Sequence, residues 1–333
     1  MSFLSLKSRD IGIDLGTANI LVTLNGKGIV YREPAVIAIE NQTGNVIAIG
    51  NEAKEMLGRT PKEISAIRPL KDGVIADFRI TEILLTHFIN KLNLKGIFAR
   101  PTILICCPSN ITSIEKSAIR DVAERCGAKK VFIEEEPKVA AIGAGLEINK
   151  PTGNMVIDIG GGTTDIAVLS LGDIVTSSSL KIAGDVMDAD IIKFVKDKYK
   201  LLIGDRTAEQ IKLEIGSAVK GSSDKTFEVR GRDLVTGLPH TITITSNETE
   251  LALRETCATI VKETKHVLEQ TPPELAADIV SRGIFLTGGG ALLTGLDRLL
   301  ESELNVPVFV ADDALNCVAN GCGVMLENLH YMK

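Results

Sequence analysis

Two stretches of the chain share one arrangement of apolar and polar positions. VIDIGGGTTDIAVL, residues 156–169, has an apolar run, a turn rich in glycine and threonine, and a second apolar run. DIGIDLGTANILVTL, residues 10–24, repeats the arrangement about 140 residues earlier, a domain-sized interval. A simple hairpin needs one or two glycines, so three in a row predict a backbone that another group approaches closely. The repetition predicts two similar halves.

The rest of the chain alternates between strand-like and helix-like spacing of apolar residues. We predict a buried strand over 101–109, a β-hairpin region over 225–245 and a strand, glycine turn and helix over 282–304, the last helix beginning near Leu292. Helical spacing predicts helices over 80–94, 113–128, 183–201, 207–219 and 248–272. This mixture indicates an α/β protein.

Two further predicted helices have small side chains, at residues 137–145 and 317–326. Small residues let helices approach closely. The stretches are consistent with a crossing at a hinge between the halves and equally with ordinary tight packing.

Composition and charge narrow the class of protein. The 333 residues carry a net charge of -6 and no basic run, which argues against nucleic-acid binding. No long uncharged apolar stretch or signal peptide is evident, so we expect a cytosolic protein. The six cysteines fit a reducing compartment, and the absence of ligand-like Cys and His spacing argues against zinc.

The repeated turns suggest phosphate binding, although the standard nucleotide motifs are absent. Neither a P-loop nor a GxGxxG fingerprint occurs. Turns rich in backbone N–H groups and hydroxyls form anion-binding nests. Asp14 and Asp158 would repel phosphate, so we expect them to hold hydrated Mg²⁺. A lone turn of this kind could be a structural hairpin, whereas two matched turns favour binding. The residues expected to donate to phosphate are Thr17, Asn19, Gly161, Gly162, Thr163 and Thr164.

Two other stretches are candidates for the remainder of a nucleotide. The glycine turn Thr287, Gly288, Gly289, Gly290 and Ala291 offers close access to a base or ribose. The stretch Glu209, Gln210, Ile211 and Lys212 offers polar groups for hydroxyls or a base, although a solvated helix face would look the same.

These motifs together resemble a known superfamily. IGIDLGTANI, GNMVIDIGGGTTDIAV and RGIFLTGGGALL look like the actin, sugar-kinase and heat-shock ATPase fold, and the whole chain resembles the MreB family of bacterial actin homologues. Asp165 and GDIVTSSS look more like its Mbl branch. The resemblance implies two duplicated lobes with four subdomains around a nucleotide cleft.

The resemblance also implies domain boundaries. Lobe I is expected at 1–147 and 317–333, with a small subdomain at about 33–66. Lobe II is expected at 148–316, with a small subdomain at about 182–245.

The resemblance assigns binding and catalytic roles, with ATP/ADP and Mg²⁺ as cofactors. Glu136, directly before Pro137, corresponds to the glutamate that orients the attacking water, and Thr163 to its second contact. From the residues alone, the Glu134–Glu136 run is better explained by acidic side chains favouring a helix N-terminus, and the resemblance changes that preference. The implied nucleotide-binding residues are Thr17, Ala18, Asn19, Gly160, Gly161, Gly162, Thr163, Glu209, Gln210, Ile211, Lys212, Gly288, Gly289, Gly290 and Ala291.

The family further implies assembly and membrane contact. Its members form filaments of antiparallel double protofilaments against the inner membrane, where membrane-bound cell-wall synthesis proteins are partners. We therefore expect a cytoplasmic, peripheral protein at the inner face of the membrane. Ile97 and Phe98, flanked by Lys95 and Arg100, correspond to the apolar pair that enters lipid, although a packed loop is the alternative.

Other members of the superfamily are competing interpretations. A small-molecule kinase would need an acceptor pocket and a base, and no clear candidate is seen. A heat-shock chaperone would need a long β-rich substrate domain. A plasmid-segregation or motility actin is a closer rival.

Overall fold

The computed structural model describes residues 10–71, 74–92, 101–109 and 111–328. The chain divides into two compact units. Unit 1 comprises Met1–Ile148 and Asn316–Lys333, and unit 2 comprises Asn149–Leu315. Unit 2 is therefore inserted into the sequence of unit 1.

Unit 1 contains ten strands and five helices among its described residues. The strands are β1 Ile11–Leu15, β2 Asn19–Leu24, β3 Gly28–Pro34, β4 Ile37–Glu40, β5 Val46–Ile49, β6 Ile64–Ile67, β7 Leu70–Lys71, β8 Val74–Ile75, β9 Thr102–Cys107 and β10 Lys130–Glu135. The helices are α1 Asn51–Met56, α2 Phe78–Lys91, α3 Ser113–Arg125, α4 Glu136–Gly143 and, after unit 2, α10 Cys317–Glu327.

The main sheet of unit 1 has the order β10-β9-β1-β2-β3. β1, β9 and β10 are parallel, whereas β2 and β3 continue the sheet antiparallel. β9 is buried almost throughout, as expected for a strand covered on both faces. Its side chains pack with Phe88, Leu84 and Leu85 of α2 in one apolar core.

Unit 2 contains eight strands and five helices. The strands are β11 Asn154–Ile159, β12 Thr164–Ser170, β13 Asp173–Leu180, β14 Leu201–Leu202, β15 Thr226–Asp233, β16 Pro239–Thr245, β17 Ile284–Thr287 and β18 Val308–Val310. The helices are α5 Gly184–Tyr199, α6 Asp205–Ile215, α7 Ser246–Gln270, α8 Pro273–Arg282 and α9 Leu296–Leu304.

The main sheet of unit 2 has the same connectivity as that of unit 1. Its order is β13-β12-β11-β17-β18, in which β11, β17 and β18 are parallel and β12 and β13 are antiparallel. In each unit a first strand turns directly into its antiparallel neighbour and is flanked on its other side by two later parallel strands. The predicted duplication is therefore present in the strand topology.

Two predicted helix boundaries are wrong. The helix predicted over 207–219 ends at Ile215, because Gly216 leaves helical geometry and the Ala218 amide donates to the Thr294 carbonyl at 2.9 Å. The helix expected near Leu292 begins at Leu296. A short 3-10 turn over Gly289–Leu292 precedes it, and Gly295 has a left-handed φ of 80°.

The two helices with small side chains pack against each other within unit 1. A Cβ on Gly143 of α4 would lie 1.8 Å from the Cys317 carbonyl oxygen, and one on Gly321 of α10 would lie 2.0 Å from the Val139 carbonyl oxygen. The predicted close approach is confirmed. A hinge role for this crossing stays a prediction.

No helix in the described part of the chain is long and apolar enough to cross a membrane.

Candidate functional site

The glycine turn of unit 2 joins β11 to β12 through Gly160, Gly161, Gly162 and Thr163. The Gly160 amide donates to the Thr163 carbonyl at 2.9 Å. In an ordinary two-residue hairpin the Gly160 carbonyl would in turn accept from the Thr163 amide. Here it accepts instead from the Gly184 amide of α5 at 3.2 Å. The Gly161 carbonyl likewise accepts from Asp185 at 2.8 Å. The turn is thus held by the first turn of a helix.

These two bonds orient the amides of the turn. In a planar trans peptide the N–H group points opposite to the preceding carbonyl. Because the Gly160 and Gly161 carbonyls face α5, the amides of Gly161 and Gly162 point away from it. Among the described residues no acceptor is found for the amides of Gly161, Gly162 or Thr163. Gly162 and Thr163 are buried, and buried N–H groups without an acceptor are rare in proteins. Such a set of amides fits a bound anion.

Lys212 of α6 approaches the same helix terminus. Its Nζ donates to the Gly184 carbonyl at 2.8 Å and lies 2.9 Å from Oδ1 of Asp188 on α5. The two charged side chains are only 16% and 13% exposed. Burial raises the pKa of Asp188 to about 6, against the opposing effect of the Lys212 charge. The structure therefore brings one end of the predicted stretch 209–212 to the glycine turn.

The other residues of that stretch differ in exposure. Gln210 is exposed, Glu209 is half-buried, and Ile211 is fully buried in the core of unit 2. The Ile211 side chain thus packs inside the unit, as the amphipathic pattern of α6 requires.

Asp158, the predicted magnesium residue of unit 2, is buried at the end of β11. Its Oδ1 accepts a hydrogen bond from the Thr287 hydroxyl at 2.7 Å. Burial raises the pKa of this carboxyl to about 6; the Thr287 hydrogen bond opposes the rise and the nearby Asp165 charge adds to it. A carboxylate held this way is ready for a cation, because a positive charge would offset the cost of its burial.

The glycine turn after β17 packs directly on this carboxylate. A Cβ on Gly288 would lie 2.4 Å from the Ile159 carbonyl oxygen and 2.9 Å from Asp158 Oδ1. A Cβ on Gly290 would lie 2.2 Å from the Ile159 side chain. Gly289 is exposed, whereas Ala291 is buried. Segments 158–163, 209–212 and 287–291 therefore lie in one connected region of unit 2.

The matching turn of unit 1 joins β1 to β2. A Cβ on Gly16 would lie 2.8 Å from the Asn19 carbonyl oxygen, so the turn is tight. Ala18 accepts from the Ala35 amide at 3.0 Å, and no acceptor is found for the amides of Thr17 and Ala18 among the described residues. Asp14, the penultimate residue of β1, lies just before this turn and pairs in register with Cys106 of β9.

Glu136 follows β10, at the same end of the unit 1 sheet as the turn that follows β1. β10 ends at Glu135, and Glu136 begins α4 with Pro137 in the first turn. Its neighbours are engaged in ion pairs, Glu134 with Lys138 at 3.1 Å and Glu135 with Lys116 at 3.8 Å. Glu136 itself is 7% exposed, unlike the solvated glutamate that helix-terminus electrostatics alone would explain.

Some predicted features have no structural counterpart to describe. Ile97 and Phe98 lie outside the described residues, as do Lys95 and Arg100. Within the described ranges, no three His, Cys, Asp or Glu side chains are grouped as a metal site on their own. This finding concerns clusters of protein ligands, whereas Asp14 and Asp158 were expected to act through water.

Sequence reasoning missed Asp188 and the N-terminus of α5. Asp188 lies 24 positions before Lys212 and reads as an ordinary polar residue of an amphipathic helix. The available signal was the Ala183-Gly184 pair, which offers no side-chain cap to the α5 amides and so leaves them to another acceptor.

Comparison with solved structures places the fold in the actin-like class. MreB5 of Spiroplasma citri, in crystal structures bound to AMPPNP and to ADP, superimposes with a TM-score of 0.92 at 42% identity over 96% of both chains. The MamK double helical filament gives a TM-score of 0.81 at 21% identity. The predicted fold class is thereby confirmed.

The family follows from sequence comparison. The MreB/Mbl protein family matches residues 8–333. The cell shape-determining proteins Mbl of Bacillus cereus and Bacillus subtilis are 63% and 62% identical over 97% of this chain and 97% of their own. Escherichia coli MreB is 53% identical over 98% of this chain and 95% of its own. The chain belongs to the MreB/Mbl family, and its higher identity to these Mbl proteins confirms the predicted branch.

Proposed function

We propose that this protein is an actin-like ATPase that assembles into membrane-associated filaments and helps to set cell shape. Its relatives at 62–63% identity are named cell shape-determining proteins, and their lengths match this chain almost completely. For nucleotide binding, the observation that carries the proposal is the Gly160–Thr163 turn, whose Gly161 and Gly162 amides point away from α5. The structural relative from Spiroplasma citri, bound to AMPPNP and ADP, supports the same ligand class.

Both glycine turns bind nucleotide phosphate in this proposal. The amides of Thr17 and Ala18 in unit 1 and of Gly161, Gly162 and Thr163 in unit 2 donate to phosphate oxygens. The 209–212 and 287–291 segments take the ribose and base. Asp14 and Asp158 hold Mg²⁺ through water, and the ion supplies neutralisation of the phosphate charge when bound.

Hydrolysis depends on Glu136 and Thr163. The Glu136 carboxylate orients a water for in-line attack on the terminal phosphate, and Thr163 positions the same water. Positioning of this kind is the main protein contribution to phosphoryl transfer. The burial of Glu136 supports this role, because a carboxylate in a low-dielectric setting holds its partner more strongly.

Replacing Glu136 by Gln tests the catalytic assignment. Gln keeps the shape but accepts less strongly, so we expect phosphate release to slow by about 100-fold with nucleotide affinity changed less than about threefold. Phosphate release and calorimetric titration with ATP measure the two quantities. Glu135→Gln is the matched control, because Glu135 pairs with Lys116 outside this role. Equal turnover in Glu136→Gln and wild type would refute the assignment.

Filament formation separates this proposal from a small-molecule kinase of the same fold. Light scattering and electron microscopy after addition of ATP, without any acceptor, should show polymers. A protein that binds ATP yet stays monomeric over a wide concentration range would contradict the assembly part alone.

Membrane contact through Ile97 and Phe98 rests on the family resemblance. Co-sedimentation with vesicles containing anionic lipid should fall strongly in the Ile97→Ser/Phe98→Ser variant, because the apolar tip supplies the buried area. Exposed Val235 and Leu238 of the β15–β16 turn provide a control pair for the same double substitution. Unchanged binding of the Ile97/Phe98 variant would exclude this segment as the main anchor.

A further inference from the structure

The α5 terminus, the glycine turn and Lys212 form a chain of direct contacts. Gly184 is the central link, since its amide donates to Gly160 and its carbonyl accepts from Lys212 Nζ. The packing there is close: a Cβ on Gly184 would lie 3.2 Å from Lys212 Nζ, 3.3 Å from the Gly160 carbonyl oxygen and 3.5 Å from Gly161 Cα. A displacement of the first turn of α5 would therefore be passed to the turn.

Asp188 stands one helical turn after Gly184, on the same face of α5. From there its carboxylate lies 2.9 Å from the Lys212 ammonium, which reaches across from α6. Lys212 thus bridges two groups of one helix, the Asp188 carboxylate and the Gly184 carbonyl. With Asp188 in place, the ammonium is directed at α5 and its charge is compensated in a nearly buried setting.

The N-cap position adds no side-chain hydrogen bond to this terminus. Ala183, at the N-cap position, forms no side-chain cap, so the first amides of the helix bond to the turn instead. The orientation of the Gly161 and Gly162 amides depends on those bonds. The Asp188–Lys212 pair is the side-chain contact that clamps this arrangement from the α6 side.

We propose that Asp188 is a positioning residue of the nucleotide site: through Lys212 it holds the first turn of α5 against the Gly160–Thr163 turn and so sets the affinity for nucleotide phosphates. The inference rests on the proposed function, because it concerns the same site. Asp188 itself touches neither nucleotide nor metal in this account. Its influence passes entirely through Lys212.

A double-mutant cycle tests this dependence. Asp188→Asn should weaken ATP and ADP binding about tenfold, because the unpaired ammonium no longer holds Gly184 in place. Lys212→Met should weaken binding at least as much. In the Lys212→Met background, Asp188→Asn should change affinity by less than about twofold, since its intermediary is gone. Calorimetric titration of full-length protein with ATP and ADP, with Mg²⁺, provides the dissociation constants.

Controls separate positioning from general damage to the fold. Asp197→Asn removes the same charge from an exposed position of α5 and should bind like wild type. Asp188→Glu retains the charge and should restore most of the affinity lost in Asp188→Asn. If Asp188→Asn proves too unstable to titrate, Asp188→Ser, which also removes the charge, should weaken binding to a similar extent.

The possible results are distinct. Wild-type affinity in Asp188→Asn would overturn the positioning role while leaving nucleotide binding established. A tenfold loss that is equally large in the Lys212→Met background would also overturn it, because Asp188 would then act independently. If the wild-type chain binds neither nucleotide, the proposed function fails and this inference falls with it.

Discussion

Asp158, at the end of β11 beside the glycine turn, carries an energetic cost. Asp158 is buried, and its pKa is raised to about 6 from an ordinary value of 3.8. A raised pKa means that the folded chain binds more protons than the unfolded chain between about pH 4 and pH 6. The fold therefore loses stability from this group as the pH rises through that interval. Such a cost is expected where a carboxylate is kept ready for a cation.

Replacing Asp158 by Asn should expose this cost. Asn can still accept from the Thr287 hydroxyl but carries no charge, so nucleotide-free Asp158→Asn should gain stability relative to wild type as the pH rises from 4 to 7. The gain over this interval is at most about 3 kcal/mol, from the pKa difference. Denaturant unfolding at several pH values measures it. Asp197→Asn, at an exposed position, should show no such trend, and a constant difference for Asp158→Asn would contradict the prediction.

Site residues could be predicted from the sequence where the groups that act together are adjacent along the chain. Asp158, Gly161, Gly162 and Thr163 could be recognised because the atoms that make the turn are adjacent in sequence. Asp188 could not be recognised, because its partner Lys212 lies on another helix. A lone carboxylate on an amphipathic helix is usually solvated.

At the scale of elements, the crossing of α4 and α10 depends on glycine. The Gly321 position leaves no room for a methyl group, because the obstacle is the Val139 backbone carbonyl. Gly323, two residues later on α10, has room: a Cβ there would lie 3.5 Å from the Thr23 methyl group, an ordinary contact. Alanine substitutions at the two positions therefore distinguish the effect of close packing from the effect of helix propensity.

Gly321→Ala should lower the free energy of unfolding by about 3 kcal/mol, because the helices must separate to admit the methyl group. Gly323→Ala should be neutral or stabilising by up to about 1 kcal/mol, since alanine is the better helix former. Thermal and denaturant unfolding of both variants decide the matter. Equal effects at the two positions would show that the crossing is not tightly constrained.

The start of α7 is the clearest case of an element fixed by local chemistry. Thr245 and Glu248 form a reciprocal cap, in which the Thr245 amide donates to Glu248 Oε2 at 2.8 Å and the Glu248 amide to Thr245 Oγ1 at 3.3 Å. The other carboxylate oxygen accepts from Lys198 and Tyr199 at the end of α5. Although burial opposes it, these hydrogen bonds lower the pKa of Glu248 to about 2.

Glu248→Gln should therefore destabilise the protein by about 1 kcal/mol at neutral pH. Because the pKa of Glu248 in the folded chain is depressed below its ordinary 4.5, the stabilisation by its carboxylate is present above about pH 4.5. This stabilisation is lost as the pH falls towards 2. The difference from wild type should accordingly shrink in acid, as followed by denaturant unfolding. Glu255→Gln, on the same helix, is a control. A difference that grows in acid would contradict this account.

Element boundaries show where sequence patterns stop being sufficient. Apolar spacing located α5 and α7 to within a few residues, and α7 also has a local cap at Thr245 and proline stops at Pro272 and Pro273. The end of α6 and the start of α9 were displaced by about four residues, because Gly216 and the 3-10 turn at Gly289–Leu292 are set by contacts between the two segments, such as Ala218 with Thr294.

At the scale of the whole molecule, the main sheets of the two units share one strand arrangement. Both units place a first hairpin beside two parallel strands, and each places its polar turn at the same edge of its sheet. This repetition could be predicted, because the two hairpins retain matching residues. The small sheets β5-β4-β6 and β14-β15-β16 differ between the units, and no repeated motif predicted them.

The insertion of unit 2 has a consequence for biosynthesis. α10 packs on α4 and on the sheet of unit 1, yet it is encoded after all of unit 2. On the ribosome, the inserted unit can complete its fold while the surrounding unit still lacks a helix and exposes the apolar surface that α10 covers. The nascent protein should therefore need protection from aggregation until α10 has been translated, and unit 1 would be the last part to become resistant to protease.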